Sequence, residues 1–297
     1  MKELEKIREK KEMLKDLPIR ILKSIVSQHE LSPSGSKEDL IEKVAREVSF
    51  DEIFSYYQQY LDGGKVTCHL FYAKGIKDIF KEVKSKKDII RTLESYGYAP
   101  QEEVSEKPTL VGVEFLKSGW IKLKYEYPGV PIKYRDISDK KIKTMVPLFS
   151  AIVKFSVSMD IIEIRTRNRK IAKMIFRDII RNLKLTGDSI EFTDKQILEW
   201  VEWAKTLRNA RVKPLTEGLS SVSLTAEKNT DLRVHSEFKK WIEKGKLRGV
   251  IIQFDYKEYT LAIQINAAEG KIFFRSFVGE EEIEFVISQA SRIAGLI

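Results

Sequence analysis

The residue pattern specifies an α+β fold: a small helical domain over residues 1–62, then an antiparallel sheet-plus-helix platform in two parts, residues 65–190 and 191–297. Three observations predict it. Up to Leu61 the apolar residues recur at helical spacing between capping residues. From Thr109 onward the alternation changes to period two, the mark of strands. Each strand-rich stretch then ends in a capped amphipathic helix, and both hairpin-forming stretches start at a glycine, Gly119 and Gly249. That parallel reads as a duplication whose sequence identity is too low to trace residue by residue.

The elements follow in order. Residues 2–16 form a charged helix, and Pro18 suits the first position of a second, in which Ile21, Leu22, Ile25 and Val26 keep helical spacing. Ser36 caps a third helix, Asp39 completes a capping box, and Leu40, Ile41 and Val44 make its buried stripe. Residues 49–61 add a fourth, ended by Gly63 and Gly64. VTCHLFYA is a strand or a short buried segment, a helix runs from Ile76 to about Tyr96, and residues 99–108 are a polar linker. WIKLKYEY and VPIKYRDI are expected to pair as a hairpin about Pro128 and Gly129. Residues 144–158 suit either state, and Pro147 at a first turn tips them toward helix. IIEIRTR is a strand, and Asn168 caps a helix to about Lys184. Thr193 and Gln196 form a capping box for the helix of Trp200 and Trp203, which either pack in the core or leave one ring open to stacking. Ser236 caps a short helix closed by Gly245. GVIIQFDY, TLAIQINA and KIFFRSF are three strands, and a last helix begins near Glu280.

An apolar fraction of 42% with 10% aromatics over 297 residues builds real cores and excludes a mainly disordered chain. Lys and Arg number 53 against 44 Asp and Glu, a net charge of +9 that favours an anionic partner only if it is concentrated. No apolar run approaches the roughly 18 residues of a membrane span, so no membrane partner is expected. Cys68 is the only cysteine, which excludes an internal disulfide and multi-thiolate zinc sites and points to an intracellular protein, of the cytoplasm or nucleoid in a prokaryote or the nucleus in a eukaryote. The Lys-, Glu- and Ile-rich, Gln-poor usage is similar to that of thermophile proteins.

Two stretches point to nucleic acid. In LSPSGSKEDLIEKV, Ser34 and Gly35 turn the chain into a helix N-terminus whose free amides and dipole suit a phosphate, with Lys37 and Lys43 close by; the same pattern also suits an ordinary capped surface helix. The segment from Leu14 to Val44 resembles a SAP motif, a small helix-linker-helix module that binds DNA in chromatin-associated proteins. The likeness lies in Leu17, Leu22, Ile25, Leu31, Ser34, Gly35, Lys37, Leu40, Ile41 and Lys43. It implies a helical fold and contact with DNA through the linker.

The second stretch places eight basic residues and one acid, Asp178, between Arg165 and Lys184. Arg169, Lys173, Arg177 and Arg181 recur every fourth residue and stack on one helix face, while Ile171, Ala172, Ile175, Phe176, Ile179, Ile180 and Leu183 lie behind them. Repeated like charges at that spacing destabilise an isolated helix, and a polyanion would neutralise them. Arg165 and Arg167 are expected to point outward from the preceding strand and, with Lys170 and Lys184, extend the patch; the alternative is a surface helix paired with acids elsewhere. Lys205, Arg208, Arg211 and Lys213 either join it or compensate a helix dipole. GWIKLKY, VPIKYRDI, the Pro147-Leu148 segment and IIEIRTRNRKIAKMIFRDII resemble the CENP-N/CENP-L family of kinetochore proteins. That resemblance implies recognition of chromatin, with a nucleosome or another chromatin protein as partner.

Catalysis finds little support. His29, His69 and His235 stand in unrelated contexts, and neither GxxxxGK[ST] nor GxGxxG occurs. Asp160 with Glu163-Ile164-Arg165 imitates a magnesium nuclease motif, but at a separation too short for a normal hairpin. The expectation is a non-enzymatic protein without metal or cofactor that binds DNA, duplex in form, through its phosphates. The alternatives are a scaffold docking an acidic protein and a magnesium-dependent nuclease.

Overall fold

The computed structural model describes residues 2–61, 63–116, 119–135, 141–215, 218 and 220–296. The chain divides into two compact units, Met1–Lys65 with Ser276–Val286, and Val66–Arg275 with Ile287–Ile297.

The first unit is helical: α1 (Lys2–Asp16), α2 (Ile19–Gln28), α3 (Lys37–Glu47) and α4 (Phe50–Leu61). Leu14, Leu17, Leu22, Ile25, Leu40, Val44 and Ile53 form its core. Pro18 is the N-cap of α2 rather than its first residue, extended at ψ 150°. The capping box of α3 is complete, with Asp39 N donating to Ser36 Oγ and Ser36 N to Asp39 Oδ2. Lys10 of α1 donates to the carbonyls of Ala45 and Val48 at 3.1 and 2.7 Å, satisfying acceptors at the end of α3 that the helix itself leaves open. Arg20 donates to the Phe277 carbonyl and meets Glu282 at 3.4 Å, which ties residues 276–286 to α2.

The second unit begins with β1 (Thr67–Lys74), then α5 (Ile76–Phe80) and α6 (Lys86–Ser95) where one long helix was expected. Ser85 breaks that helix by capping α6 through Asp88 N, so the chain turns between the two. The middle of the chain supplies β2 (Thr109–Phe115), β3 (Trp120–Pro128), β4 (Ile132–Arg135), β5 (Ile142–Met145), β6 (Leu148–Ser156), β7 (Ile161–Arg165), α7 (Arg169–Asn182) and β8 (Thr186–Ser189). Then come α8 (Asp194–Trp203), β9 (Thr206–Pro214), β10 (Val222–Thr225), α9 (Ser236–Glu243), β11 (Gly245–Tyr256), β12 (Tyr259–Asn266), β13 (Lys271–Phe274) and α10 (Glu280–Ile293).

Eleven strands make one antiparallel sheet in the order β10-β9-β11-β12-β13-β1-β7-β6-β3-β2, with β8 paired to the end of β1. Two meanders compose it, β2-β3-β6-β7 between α6 and α7, and β9-β11-β12-β13 between α8 and α10. The same order of helix, four strands and helix thus occurs twice. A division at residue 190 is bridged in the structure, because β1 pairs with β7 along one edge and with β13 along the other, so strands from both parts share one sheet.

Two expectations are corrected here. β3 does not pair with residues 130–135, residues 136–137 of the expected strand lying outside the described residues; it runs through to Pro128 against Leu148 of β6, while β4 and β5 form a separate two-stranded ribbon. Inward side chains decide this, since Ile121, Leu123 and Tyr125 pack beside Ala151, Val153 and Phe155, whereas all four residues of β4 are exposed. Residues 144–158 are strand rather than helix. From Ala151 to Ser156 both faces of β6 are buried, and such a strand reads as a continuous apolar run without alternation.

Gly35 sits at φ +119°, where a Cβ would lie 2.9 Å from that of Asp39. Gly35→Val is expected to destabilise the first unit by about 1–3 kcal/mol, because a β-branched residue is strained there. Urea unfolding followed by helicity checks it: the transition moves to lower denaturant in the valine variant and stays in place in Ser34→Ala.

Candidate nucleic-acid interface

The basic helix is built from its cap inward. Asn168 Oδ1 accepts from Lys170 N at 2.9 Å and Ile171 N at 3.5 Å, starting α7 directly after β7. Ala172, Ile175, Phe176, Ile179 and Leu183 fill the core beneath, where the Phe176 ring stacks on Phe71 at 4.4 Å. Asp178, the one acid of the run, faces inward and accepts from the Tyr98 hydroxyl at 2.8 Å, which also bonds Tyr125. Burial, reinforced by the Asp178 charge, pushes both tyrosines well above their ordinary pKa, so they remain neutral donors.

With that face fixed, the other presents cations to solvent. Lys170, Arg177, Arg181 and Lys184 are exposed and Lys173 is half-buried. Among the described residues Lys170, Lys173, Arg177 and Lys184 make no ion pair, and Arg181, 80% exposed, meets Asp178 at only 3.5 Å. Such a face is held rigid from behind, and its cations, apart from Arg181, have no internal ion pair to break before meeting an anion.

Other expected contacts lie elsewhere. Arg165 does not point outward. It is 5% exposed, and its Nε donates to the fully buried Glu163 at 2.6 Å, with Cys68 Sγ on the same carboxylate at 3.0 Å. Arg165 and Glu163 are two residues apart on one strand, so they share a face, and here that face is covered. Arg167 lies past the strand end and is exposed. Arg169 is turned off the α7 stripe by Glu269, 3.0 Å away, and by the Ala268 carbonyl at 3.4 Å.

The linker residues of the first unit are also engaged. Lys37 Nζ donates to the Lys15 carbonyl at 2.6 Å, and Lys43 Nζ to the carbonyls of Ser32 and Ser34 at 3.1 and 2.8 Å. Ser34 Oγ bonds Ser32 Oγ at 2.7 Å, and the Asp39 carboxylate occupies the N-terminus of α3. The anion that this helix end meets is its own side chain, held below the ordinary aspartate pKa by the Ser36 amide and hydroxyl. Lys37 and Lys43 therefore brace the linker rather than reach out from it.

Arg208, Arg211 and Lys213 lie along β9, while Lys205 stands directly after Ala204, the C-cap of α8. Lys205 pairs with Asp255 at 2.8 Å and Arg208 donates to the Glu227 and Thr230 carbonyls, both at 2.7 Å, while Arg211 and Lys213 stay exposed. Of the imitation nuclease pair, Glu163 is buried as described, and Asp160 accepts from the amides of Gly75 and Lys77. Trp200 is fully buried, and Trp203 packs against it and Phe254 at 5.4 and 4.6 Å. Among the described residues no helix is long and apolar enough to cross a membrane.

Comparison with known proteins adds no family. No family model matches the chain, and no curated protein matches it. The readings below therefore stand on residues and geometry alone.

His69 lies beside this region, 1% exposed. Its Nε2 is 3.1 Å from the Thr166 carbonyl, which can only accept, so Nε2 holds the hydrogen and the buried Nδ1 has no partner. Burial, outweighing the Thr166 carbonyl, lowers its pKa from 6.5 to about 4. The folded pKa is the depressed one. Stability from neutral His69 is therefore complete above about pH 6.5 and lost as pH falls to about 4, a change on the order of 3 kcal/mol. Urea midpoints across that window are expected to fall less steeply in His69→Gln, whose amide keeps the bond to Thr166. Arg165→Gln, which strands the Glu163 charge, is expected to cost about 3–5 kcal/mol, whereas Arg167→Gln leaves the midpoint unchanged.

Proposed function

We propose that this chain is a non-enzymatic DNA-binding protein of a chromatin or nucleoid assembly, holding the backbone of duplex DNA on the outward face of α7. The observation that supports the reading is the set of cations without ion pairs, Lys170, Lys173 and Arg177, with Arg181, on a helix whose opposite face is locked in the core, and Lys184 just past its C-cap. Residues four apart rise about 6 Å along the helix, so the charges form a line rather than a point. Arg167 extends that line at the N-terminal end. The α2–α3 pair, similar to a SAP motif, is a second contact in which Gly35 sets the linker and Lys37 and Lys43 hold it in shape. Localisation to the nucleoid or nucleus belongs to this reading.

Phosphate contacts position without reading bases, so Arg177→Gln with Arg181→Gln is expected to weaken binding nearly equally on all duplex sequences. The slope of log K against log salt falls by roughly 0.9 per lost contact, about 1.8 for the pair. A fluorescence titration with duplex DNA at two salt concentrations measures it. Unchanged affinity and slope in the double variant would overturn the reading.

A scaffold role is favoured by a different feature. Around the β4–β5 ribbon, Val130, Ile132, Ile142, Met145, Val146 and Leu148 are all exposed, Val130 to 81%, with Lys133 and Arg135 among them. A protein partner with an apolar centre and an acidic rim suits that surface. Failure of the parent chain to bind duplex in the same titration would favour this alternative.

A further inference from the structure

The open face of the β9-β11-β12 sheet holds a polar cleft of about 420 Å³ that no sequence motif announces. Its floor follows from strand register. Arg211, Gly249 and Asn266 lie side by side in one row, and Asn209, Ile251 and Gln264 in the next. Ser223 of β10 continues the first row beyond Arg211. At the other end stand Arg169, at the start of α7, and the turn of Ala268 and Glu269.

Two local devices shape it. A bulge between Leu247 and Gly249 inserts Arg248 into β11 without a partner in β9, so its side chain joins the cleft instead of following the alternation. Gly249, next in line, carries no side chain between Arg211 and Asn266, and a Cβ there would lie 2.7 Å from the Ile265 carbonyl oxygen, so the neighbouring backbone comes too close for any other residue.

The lining is rich in groups without protein partners. Among the described residues the side chains of Arg248, Gln264 and Asn266 make no hydrogen bond or ion pair. Asn209 donates through Nδ2 to Ser223 and Thr225 at 3.1 and 2.8 Å, leaving its carbonyl oxygen for a ligand. Arg211 has a single bond, to Ser221 Oγ at 3.3 Å. The lining holds three arginines, Arg169, Arg211 and Arg248, and one carboxylate, Glu269, which is already bonded by Arg169 at 3.0 Å and Lys271 at 2.9 Å. Three guanidinium groups call for phosphate oxygens, and adjacent amides offering both donors and acceptors suit the edge of a base or the hydroxyls of a sugar. The volume is that of a small-molecule site rather than of a duplex groove contact.

We infer that this cleft binds a nucleotide unit, its phosphates on Arg211, Arg248 and Arg169 and its base or sugar on Asn209, Gln264 and Asn266. The unit comes either as a free nucleotide or as an unpaired residue of a nucleic-acid strand, and only the second source rests on the DNA-binding reading. No aromatic ring lines the cleft, so hydrogen bonding rather than stacking sets its preference.

The test uses the full chain with two fluorescent probes, a nucleoside triphosphate and a short single-stranded oligonucleotide, beside the duplex. Binding of either small probe is expected, and Arg211→Gln with Arg248→Gln lowers it on the order of tenfold or more. Gln264→Leu, which leaves the charge unchanged, also weakens it and alters the ranking of the four bases. Binding of the triphosphate identifies a free nucleotide as a source, and binding of the oligonucleotide alone identifies a strand. Arg177→Gln with Arg181→Gln keeps this binding while losing the duplex. The inference is overturned if neither small probe binds, or if the cleft variants, folded by circular dichroism, bind as the parent does. In that event duplex binding that responds to Arg177 and Arg181 leaves the α7 reading standing. Failure of the parent chain to bind the duplex while the cleft is still occupied removes that reading alone.

Discussion

Strand β1 is hydrogen-bonded along both edges, to β7 on one side and to β13 and then β8 on the other, and the order of the second unit depends on that double pairing. Without it the two meanders would end in open strands. With it, Cys68 and Leu70 are buried on one face and Phe71 and Ala73 on the other, which is why the strand reads as a nearly unbroken apolar run. The register that aligns Cys68 with Arg165 also brings the thiol, Glu163 and Arg165 together inside the sheet. A buried carboxylate of that kind is tolerated because its lone pairs are met by donors on both neighbouring positions. The first turn of α7 follows at once, so the same pairing that closes the core fixes where the basic helix leaves it.

Much of this order is legible in the residues. Caps at Ser36, Asn168 and Thr193 mark helix starts because a short polar side chain meeting a backbone amide is a local event. The inward stripe of α7 is legible for the same reason, since periodicity on one helix needs no knowledge of its neighbour. The three strands from Gly245 to Phe274 alternate cleanly because one of their faces is open. What fails is partnership at a distance. Pro128 and Gly129 look like a hairpin turn, yet Gly129 N donates to the Pro147 carbonyl, and the strand that β3 needs arrives only after the ribbon. Short strands such as TGDS of β8 have no apolar signal, since they are placed by the edge that they complete.

The site divides along the same line. The α7 face is visible because four cations repeat on one element. Arg165 misleads because alternation says only which residues share a face, not whether that face is covered. The cleft residues are invisible in the sequence, being spread over α7, β9, β10, β11 and β12 and assembled by register and by a bulge at Arg248. Glycine in the middle of a strand, as at position 249, was the one available sign that the backbone does something unusual there.

The position of β1 has a bearing on how the protein is made. Among the described residues it is the earliest strand in the sequence and lies inside its sheet, yet β7 follows long after it, and β13 comes later than every other strand. Contacts so far apart along the chain close slowly. Until β7 and β13 are made, a nascent chain therefore displays an apolar strand with vacant edges, the state in which such segments pair with one another between chains. Folding of the sheet waits for β13, and a chaperone holding residues 67–74 would act at the step that most needs delay.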